Sequence, residues 1–142
     1  MATSIEEMRS KCRLFCIDFL NKGAIDKIGE YIASDAVSHT MPPGFAAGFE
    51  GAKQLFTQIF QAFPDARWSV DEVICEGDKA VLRSTMRGTH KGEFMGIAAT
   101  NKYVQVTGID IMRFRDGIMV EHWGSQDDLG MLKQIGVIPA MP

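Results

Sequence analysis

The order of the predicted elements indicates an α+β protein. Apolar residues recur at helical spacing over about the first 63 residues, whereas the stretch from Ala66 to Gln126 is typical of strands joined by short turns. Helices followed by antiparallel strands are characteristic of this fold class. The length of 142 residues predicts a single domain that spans residues 1–142.

Three helices are predicted in the N-terminal half. Ser4 and Glu7 form a capping box at the start of the first helix, which ends near Gly23. A short second helix is predicted from about residue 24 to residue 33. A third helix is predicted from about residue 49 to residue 63, because its apolar residues share one helical face and Pro64-Asp65 follows it.

Four strands and a short C-terminal helix are predicted in the second half. The strands run over residues 68–74, 80–90, 103–115 and 118–125, and the last turn is Asp116-Gly117, a strong hairpin signal. Around this hairpin both strand faces carry apolar residues, which predicts that both faces are covered. The helices can cover one face and a second subunit the other, so we expect a homodimer.

Composition excludes several classes of function. The formal net charge of −3 with mixed signs gives no nucleic-acid surface, and the sequence has neither a signal-peptide pattern nor 18 consecutive apolar residues. We therefore expect a cytoplasmic protein with no nucleic-acid or membrane partner. The three cysteines are an odd number, and Cys12 and Cys16 lie four residues apart on the apolar face of the first predicted helix, which predicts buried thiols in a reducing compartment. Spacings typical of metal, nucleotide or flavin sites are absent, so no metal and no cofactor is expected.

Four segments of the sequence together form a recognisable set of motifs. One is Glu121-His122-Trp123 with Asp127 four residues after the tryptophan, followed by Leu-Gly-Met-Leu-Lys-Gln-Ile-Gly. The others are residues 21–26, His39-Thr-Met-Pro-Pro-Gly, and residues 88–104. In their order and spacing these segments resemble the SnoaL-like polyketide (ester) cyclases. Asn101 departs from the usual glycine, although asparagine also tolerates the left-handed conformation. The resemblance implies the cone-shaped α+β barrel of the nuclear transport factor 2-like superfamily, commonly a dimer with a pocket in each cone.

The resemblance also implies a catalytic role for Asp127. In these cyclases the matching aspartate is a general acid/base that removes a proton from a carbon next to a carbonyl, and the enolate then closes a ring without metal or organic cofactor. A second interpretation of Asp127 or Asp128 is the N-cap of the last helix. The two adjacent aspartates permit a division in which Asp128 caps and Asp127 faces the cavity.

His122 is the second catalytic candidate. Only one of His122 and Trp123 can face the interior, because side chains alternate along a strand. A two-residue turn pairs Asp110 with Trp123, whereas a three-residue turn with a bulge pairs Asp110 with His122. The second register gives an acid/base unit. The other interpretation is a polar pair at a dimer interface.

Further residues are candidates for substrate binding. His39 and His90 match motif positions in the family and can bind a carbonyl at the pocket mouth, although each can also be an ordinary exposed histidine. Trp68, Phe94 and Trp123 can line an apolar pocket, although such residues are usually core. With Asp110, these residues complete the predicted binding set.

The predicted function is a cofactor-free cyclase, a lyase or isomerase acting on an apolar carbonyl compound of polyketide type. The alternative is a non-catalytic small-molecule-binding or dimerisation module, since one fold can host either. A third candidate, addition of water to an epoxide, would use Asp110, Arg113 and Asp127. We rank it last because residue parity places Arg113 and Asp110 on opposite faces.

Overall fold

The structure is a computed structural model and describes residues 2–139. Four helical segments in the N-terminal half, five strands and a C-terminal helix lie within these residues. They are helix α1 (Ile5–Leu14), a π-helical turn (Phe15–Leu20), a 3-10 helix (Ile25–Glu30), strand β1 (Ile32–Ser38), helix α2 (Phe49–Ala62), strands β2 (Arg67–Glu76), β3 (Lys79–Thr89), β4 (Tyr103–Arg115) and β5 (Ile118–Gln126), and helix α3 (Asp128–Gln134). The predicted α+β class is confirmed.

The N-terminal helix is capped by the Ser4 side chain of the predicted capping box and then widens. The Ser4 hydroxyl accepts a hydrogen bond from the Glu7 amide at 3.1 Å. After Leu14 the helix changes to i→i+5 bonding, shown by the Asn21 amide donating to the Cys16 carbonyl at 2.9 Å. Helix α1 and this turn bury their apolar face in the core, which also contains α2 and the inner face of the sheet.

The second predicted helix is too long, and the strand that follows it was not predicted. A 3-10 helix covers only residues 25–30, after which Ile32 begins β1. Within β1 only Ile32 and Ala36 are buried, so the segment lacks the apolar alternation that would mark a strand. It is held instead by parallel pairing with β5, in which Ser38 lies opposite His122. Such a pairing cannot be inferred from local sequence.

The five strands form one curved sheet in the order β1-β5-β4-β3-β2. Every neighbouring pair is antiparallel except β1 with β5. Strand β3 lacks the apolar residues on both faces that occur around the β4–β5 hairpin, because Arg83, Thr85 and Arg87 lie on its face away from the cavity. The outer face is thus polar along β3, while Ile109 on β4 is 49% exposed.

The β4–β5 hairpin has neither of the two predicted registers. Its turn has two residues, Asp116 and Gly117, both with positive φ (53° and 80°), and β5 also has a bulge between Met119 and Glu121. The bulge shifts the pairing by one residue, so Asp110 lies opposite Gly124. The two-residue turn and the bulge occur together, whereas each predicted register contained only one of them.

The predicted helix of the C-terminal segment is present as α3. Among residues 2–139, none of the helices combines the length and apolar character needed to cross a membrane.

Candidate functional site

A cavity of about 420 Å³ lies between the helices and the inner face of the sheet. This volume falls in the range of small-molecule sites. Most of its wall is apolar, and it includes Trp68 and Phe94, two of the residues proposed from the sequence to bind substrate. Other aromatic and methionine side chains in the wall are Phe15, Phe56, Phe63, Met86, Met112 and Met119. The cavity is therefore suited to an apolar molecule.

Asp110 and His122 form a hydrogen-bonded pair in this wall. Nε2 of His122 lies 2.8 Å from Oδ1 of Asp110, and the two side chains are only 24% and 20% exposed. Gln126 Nε2 also donates to the same carboxylate, at 3.1 and 3.3 Å. A carboxylate only accepts, so in neutral His122 the hydrogen lies on Nε2 and the lone pair on Nδ1. Asp110 on β4 lies opposite Gly124 on β5, and His122 lies two residues before Gly124, so Asp110 and His122 are diagonal neighbours across the two strands.

Ser38 lies on the other side of the His122 ring. Its Oγ is 2.9 Å from His122 Nδ1, and because Nδ1 carries the lone pair, the hydroxyl donates. The His39 amide donates to the His122 carbonyl at 2.9 Å, which fixes β1 against β5 at this position. Sequence reasoning missed Ser38 because it missed β1. The alternation of Ser38 and Thr40, both in the cavity wall, was the available signal.

Gly124 provides the space that this group needs. It lies opposite Asp110 across the hairpin. A Cβ atom at Gly124 would come within 2.5 Å of Asp110 Oδ1 and 3.0 Å of His122 Nε2. A side chain at this position would therefore displace the carboxylate, the imidazole, or both.

The predicted division of roles between the two adjacent aspartates is reversed. Asp127 is the N-cap of α3, and its Oδ1 accepts a hydrogen bond from the Gly130 amide at 3.0 Å. Its side chain is exposed and does not contribute to the cavity wall, whereas Asp128 does. Partial burial, followed by the nearby charge of Asp127, raises the pKa of Asp128. The geometry therefore does not support Asp127 as the base that faces the substrate.

His39 and Trp123 lie on the outer face of the sheet, away from the cavity. Their rings stack with centroids 5.0 Å apart, and His39 Nε2 lies 2.8 Å from Glu121 Oε2. Arg113 Nε donates to Glu121 Oε1 at 2.8 Å. The Arg113 guanidinium, then His39, hold the pKa of Glu121 below its usual range. Neither His39 nor Trp123 reaches the cavity, contrary to the predicted binding roles.

The position of Arg113 argues against the third candidate function, addition of water to an epoxide. It pairs with Glu121 on the outer face, whereas Asp110 lines the cavity on the inner face. The separation inferred from residue parity is confirmed. An Asp-Arg-Asp arrangement around one epoxide therefore has no support in this geometry.

His90 is fully buried, which neither interpretation of it predicted. Its ring stacks on Phe63 at 5.5 Å, and Nδ1 lies 3.0 Å from Thr100 Oγ1. The Asn101 amide donates to the His90 carbonyl, and Asn101 has the left-handed φ of 60° that was expected to preserve the turn. His90 thus holds the segment between β3 and β4 in place and does not line the cavity.

Two further features bear on cofactors and thiols. Within residues 2–139, no group of three or more His, Cys, Asp or Glu side chains is arranged to hold a metal ion. Cys12 and Cys16 are buried, and burial is the main cause that raises the pKa of each thiol to about 12. These two thiols are therefore structural in character.

Three solved structures are similar to this chain over most of their length. TsrD from Streptomyces laurentii is 26% identical with a TM-score of 0.86, covering 96% of this chain and 99% of its own. AclR from Streptomyces galilaeus, provisionally described as a hydroxylase, is 29% identical with a TM-score of 0.85 and coverages of 98% and 87%. IdmH from Streptomyces antibioticus, provisionally described as a polyketide cyclase, is 32% identical with a TM-score of 0.77 and coverages of 92% and 99%.

A search of curated proteins found no match. The family described as SnoaL-like polyketide cyclase matches residues 10–135, nearly the whole chain. The curved sheet, the helices packed on it and the short C-terminal helix match the architecture of the similar solved structures. The chain therefore belongs to the SnoaL-like polyketide cyclase family.

Proposed function

We propose that this protein is a cyclase-type enzyme in which His122, held by Asp110, is the general base. The family and its structural relatives support a function of the cyclase or hydroxylase type. One observation carries the choice of base: an imidazole hydrogen-bonded to a carboxylate at 2.8 Å in the wall of an apolar cavity. The substrate is an apolar carbonyl compound of polyketide type, and no metal or organic cofactor takes part.

The proposed reaction begins with proton transfer from carbon. The lone pair of His122 Nδ1 removes a proton from a carbon next to a carbonyl, and the ionised Asp110 stabilises the imidazolium that forms. The enolate then attacks a second carbonyl of the same molecule and closes a ring. The new alkoxide regains a proton from the imidazolium, so the base ends in its starting state. Ser38 occupies Nδ1 in the free protein and must give way to the substrate.

The apolar wall contributes to this chemistry through its low polarity. Charges interact more strongly where water is excluded, so the Asp110 carboxylate stabilises an imidazolium here more than it would at the surface. Gln126 holds that carboxylate in place with its amide. Asp127 has no part in this proposal because its carboxylate caps α3.

Hydrogen–deuterium exchange on a simple ketone tests the proposal without the natural substrate. We expect the protein to accelerate exchange of the α-hydrogens of 2-tetralone in deuterated water, followed by NMR, above the rate in buffer. The His122→Gln variant should lose this acceleration by roughly 100-fold, the lower end of what a general base contributes. Binding of the ketone with no acceleration by the unaltered protein would instead favour the non-catalytic binding module.

We also propose that the outer face of the sheet is covered by a second copy of the chain. Three apolar side chains on the sheet support this, since Val37, Ile74 and Ile109 are 45%, 53% and 49% exposed. Polar groups on β3 lie among them, as is common in interfaces. Light scattering at micromolar concentration should give the mass of a dimer. A monodisperse monomer would contradict the proposal.

A further inference from the structure

Four polar groups at one end of the cavity form an arrangement that proton abstraction from carbon does not require. Ser38 Oγ lies 2.9 Å from His122 Nδ1, and His122 Nε2 lies 2.8 Å from Asp110 Oδ1. A serine hydroxyl, an imidazole and a carboxylate thus form one hydrogen-bonded chain. All three line the apolar cavity. This is the order of groups that activates a serine for attack on a carbonyl, recognised by geometry and not by position in the sequence.

We propose that Ser38, His122 and Asp110 form a nucleophilic triad, and that the protein hydrolyses small apolar carboxylic esters through an acyl-serine. The proposal shares the His122–Asp110 pair with the proposed function and adds a second activity to it. The roles of the two ring nitrogens are exchanged relative to the serine protease template, in which Nε2 contacts the serine. Both arrangements give the serine a lone pair to accept its proton.

Thr40 supplies the fourth group. Its Oγ1 accepts a hydrogen bond from the Gly124 amide at 2.8 Å. The Thr40 hydroxyl hydrogen has no acceptor among the hydrogen bonds of the described residues, and the side chain lines the cavity two residues after Ser38. It is therefore free to donate to the oxygen of an ester carbonyl as negative charge develops there. Removing one such donor in other enzymes costs roughly 100-fold or more in rate.

The reaction balances without any further reagent. As Ser38 Oγ bonds to the ester carbon, its proton moves to His122 Nδ1 and the carbonyl electron pair moves to oxygen. Collapse of this intermediate re-forms the carbonyl and breaks the bond to the alcohol, which takes the proton from Nδ1. A water molecule then gives its proton to Nδ1 and attacks the acyl carbon, and Ser38 leaves with that proton. Ester and water become acid and alcohol.

The test combines ester hydrolysis with covalent labelling. We expect the unaltered protein to release 4-nitrophenolate from 4-nitrophenyl butyrate and to react with an alkyl fluorophosphonate, with mass spectrometry locating the added group on Ser38. Ser38→Ala should lose hydrolysis by at least roughly 100-fold and should not be labelled. His122→Gln should prevent both. Ser69→Ala is the matched control, because Ser69 bonds Asp71 and lies outside the cavity wall; it should behave like the unaltered protein.

Several outcomes would overturn the triad. They are absence of label on Ser38 in the unaltered protein, label on another residue, or hydrolysis that survives in Ser38→Ala. Labelling of the unaltered protein decides the question even if Ser38→Ala does not fold. The ketone exchange assay separates this proposal from the proposed function. Exchange by the unaltered protein without hydrolysis or label on Ser38 would reject the triad alone, and hydrolysis without exchange would reject the proposed function alone.

Discussion

Two histidines of this protein contact a carboxylate at the same distance on opposite faces of one sheet. His122 lies 2.8 Å from Asp110 on the inner face, and His39 lies 2.8 Å from Glu121 on the outer face. The inner side chains are 24% and 20% exposed, the outer ones 43% and 26%. The inner pair faces an apolar cavity, whereas Arg113 already balances the outer carboxylate.

The comparison shows that a histidine–carboxylate pair does not define a site by itself. On the outer face, water and Arg113 compete for Glu121, and an exposed ion pair of this kind contributes little free energy. On the inner face the carboxylate has an amide and the imidazole as partners. There, a charge that forms on His122 is stabilised by Asp110 in surroundings of low polarity. Reactivity is therefore expected only on the inner face.

Among substitutions that affect the inner pair and spare the outer pair, Gly124→Ala should have the largest effect. The added methyl group would lie within 2.5 Å of Asp110 Oδ1, so the inner pair must move while the outer pair keeps its contacts. Misplacement of a catalytic group by about 1 Å can cost on the order of 100-fold in rate. We expect ketone exchange to fall by roughly that factor, measured by NMR, with a lower melting temperature.

Gly29→Ala is the control for this substitution. Gly29 has no heavy atom near a Cβ position and does not adopt a positive φ, so exchange should be unchanged. If Gly124→Ala keeps full exchange, the inner pair does not need the geometry described above.

A smaller effect, confined to stability, is expected for Glu121→Gln on the outer face. Arg113 and His39 hold the pKa of Glu121 below its usual 4.5. Its ionised form therefore stabilises the fold above that value, and this contribution is lost as pH falls through the lowered pKa. Thermal melts should show a slightly lower melting temperature for the variant near neutral pH and no difference in strong acid. Ketone exchange should remain at the level of the unaltered protein; a large loss would show that the outer pair takes part in the reaction.

The sequence predicted the elements with strong periodicity and missed those held by distant partners. Helices α1 and α2 and the antiparallel strands follow from apolar spacing and from the Asp116-Gly117 turn. Strand β1 was missed because it buries few residues and depends on parallel pairing with β5. That omission also concealed Ser38.

The candidate site shows the same limit. The sequence suggested an Asp110–His122 unit, and the structure contains that contact, but through a diagonal pairing that a bulge at Val120 creates. The motif pointed to Asp127, whose position just before α3 lets it cap the helix. A motif fixes spacing along the chain, whereas the direction of a side chain depends on where the strand ends and the helix begins.

The central claim is that the base belongs to the inner pair and not to the residue before α3. Exchange of 2-tetralone by Asp110→Asn and Asp127→Asn, compared side by side, tests it most directly. Both substitutions remove one carboxylate with little change in shape, and Asn caps a helix about as well as Asp. We predict that Asp110→Asn lowers exchange by at least roughly 10-fold, while Asp127→Asn keeps the rate of the unaltered protein. Full exchange in Asp110→Asn, together with its loss in Asp127→Asn, would contradict the account.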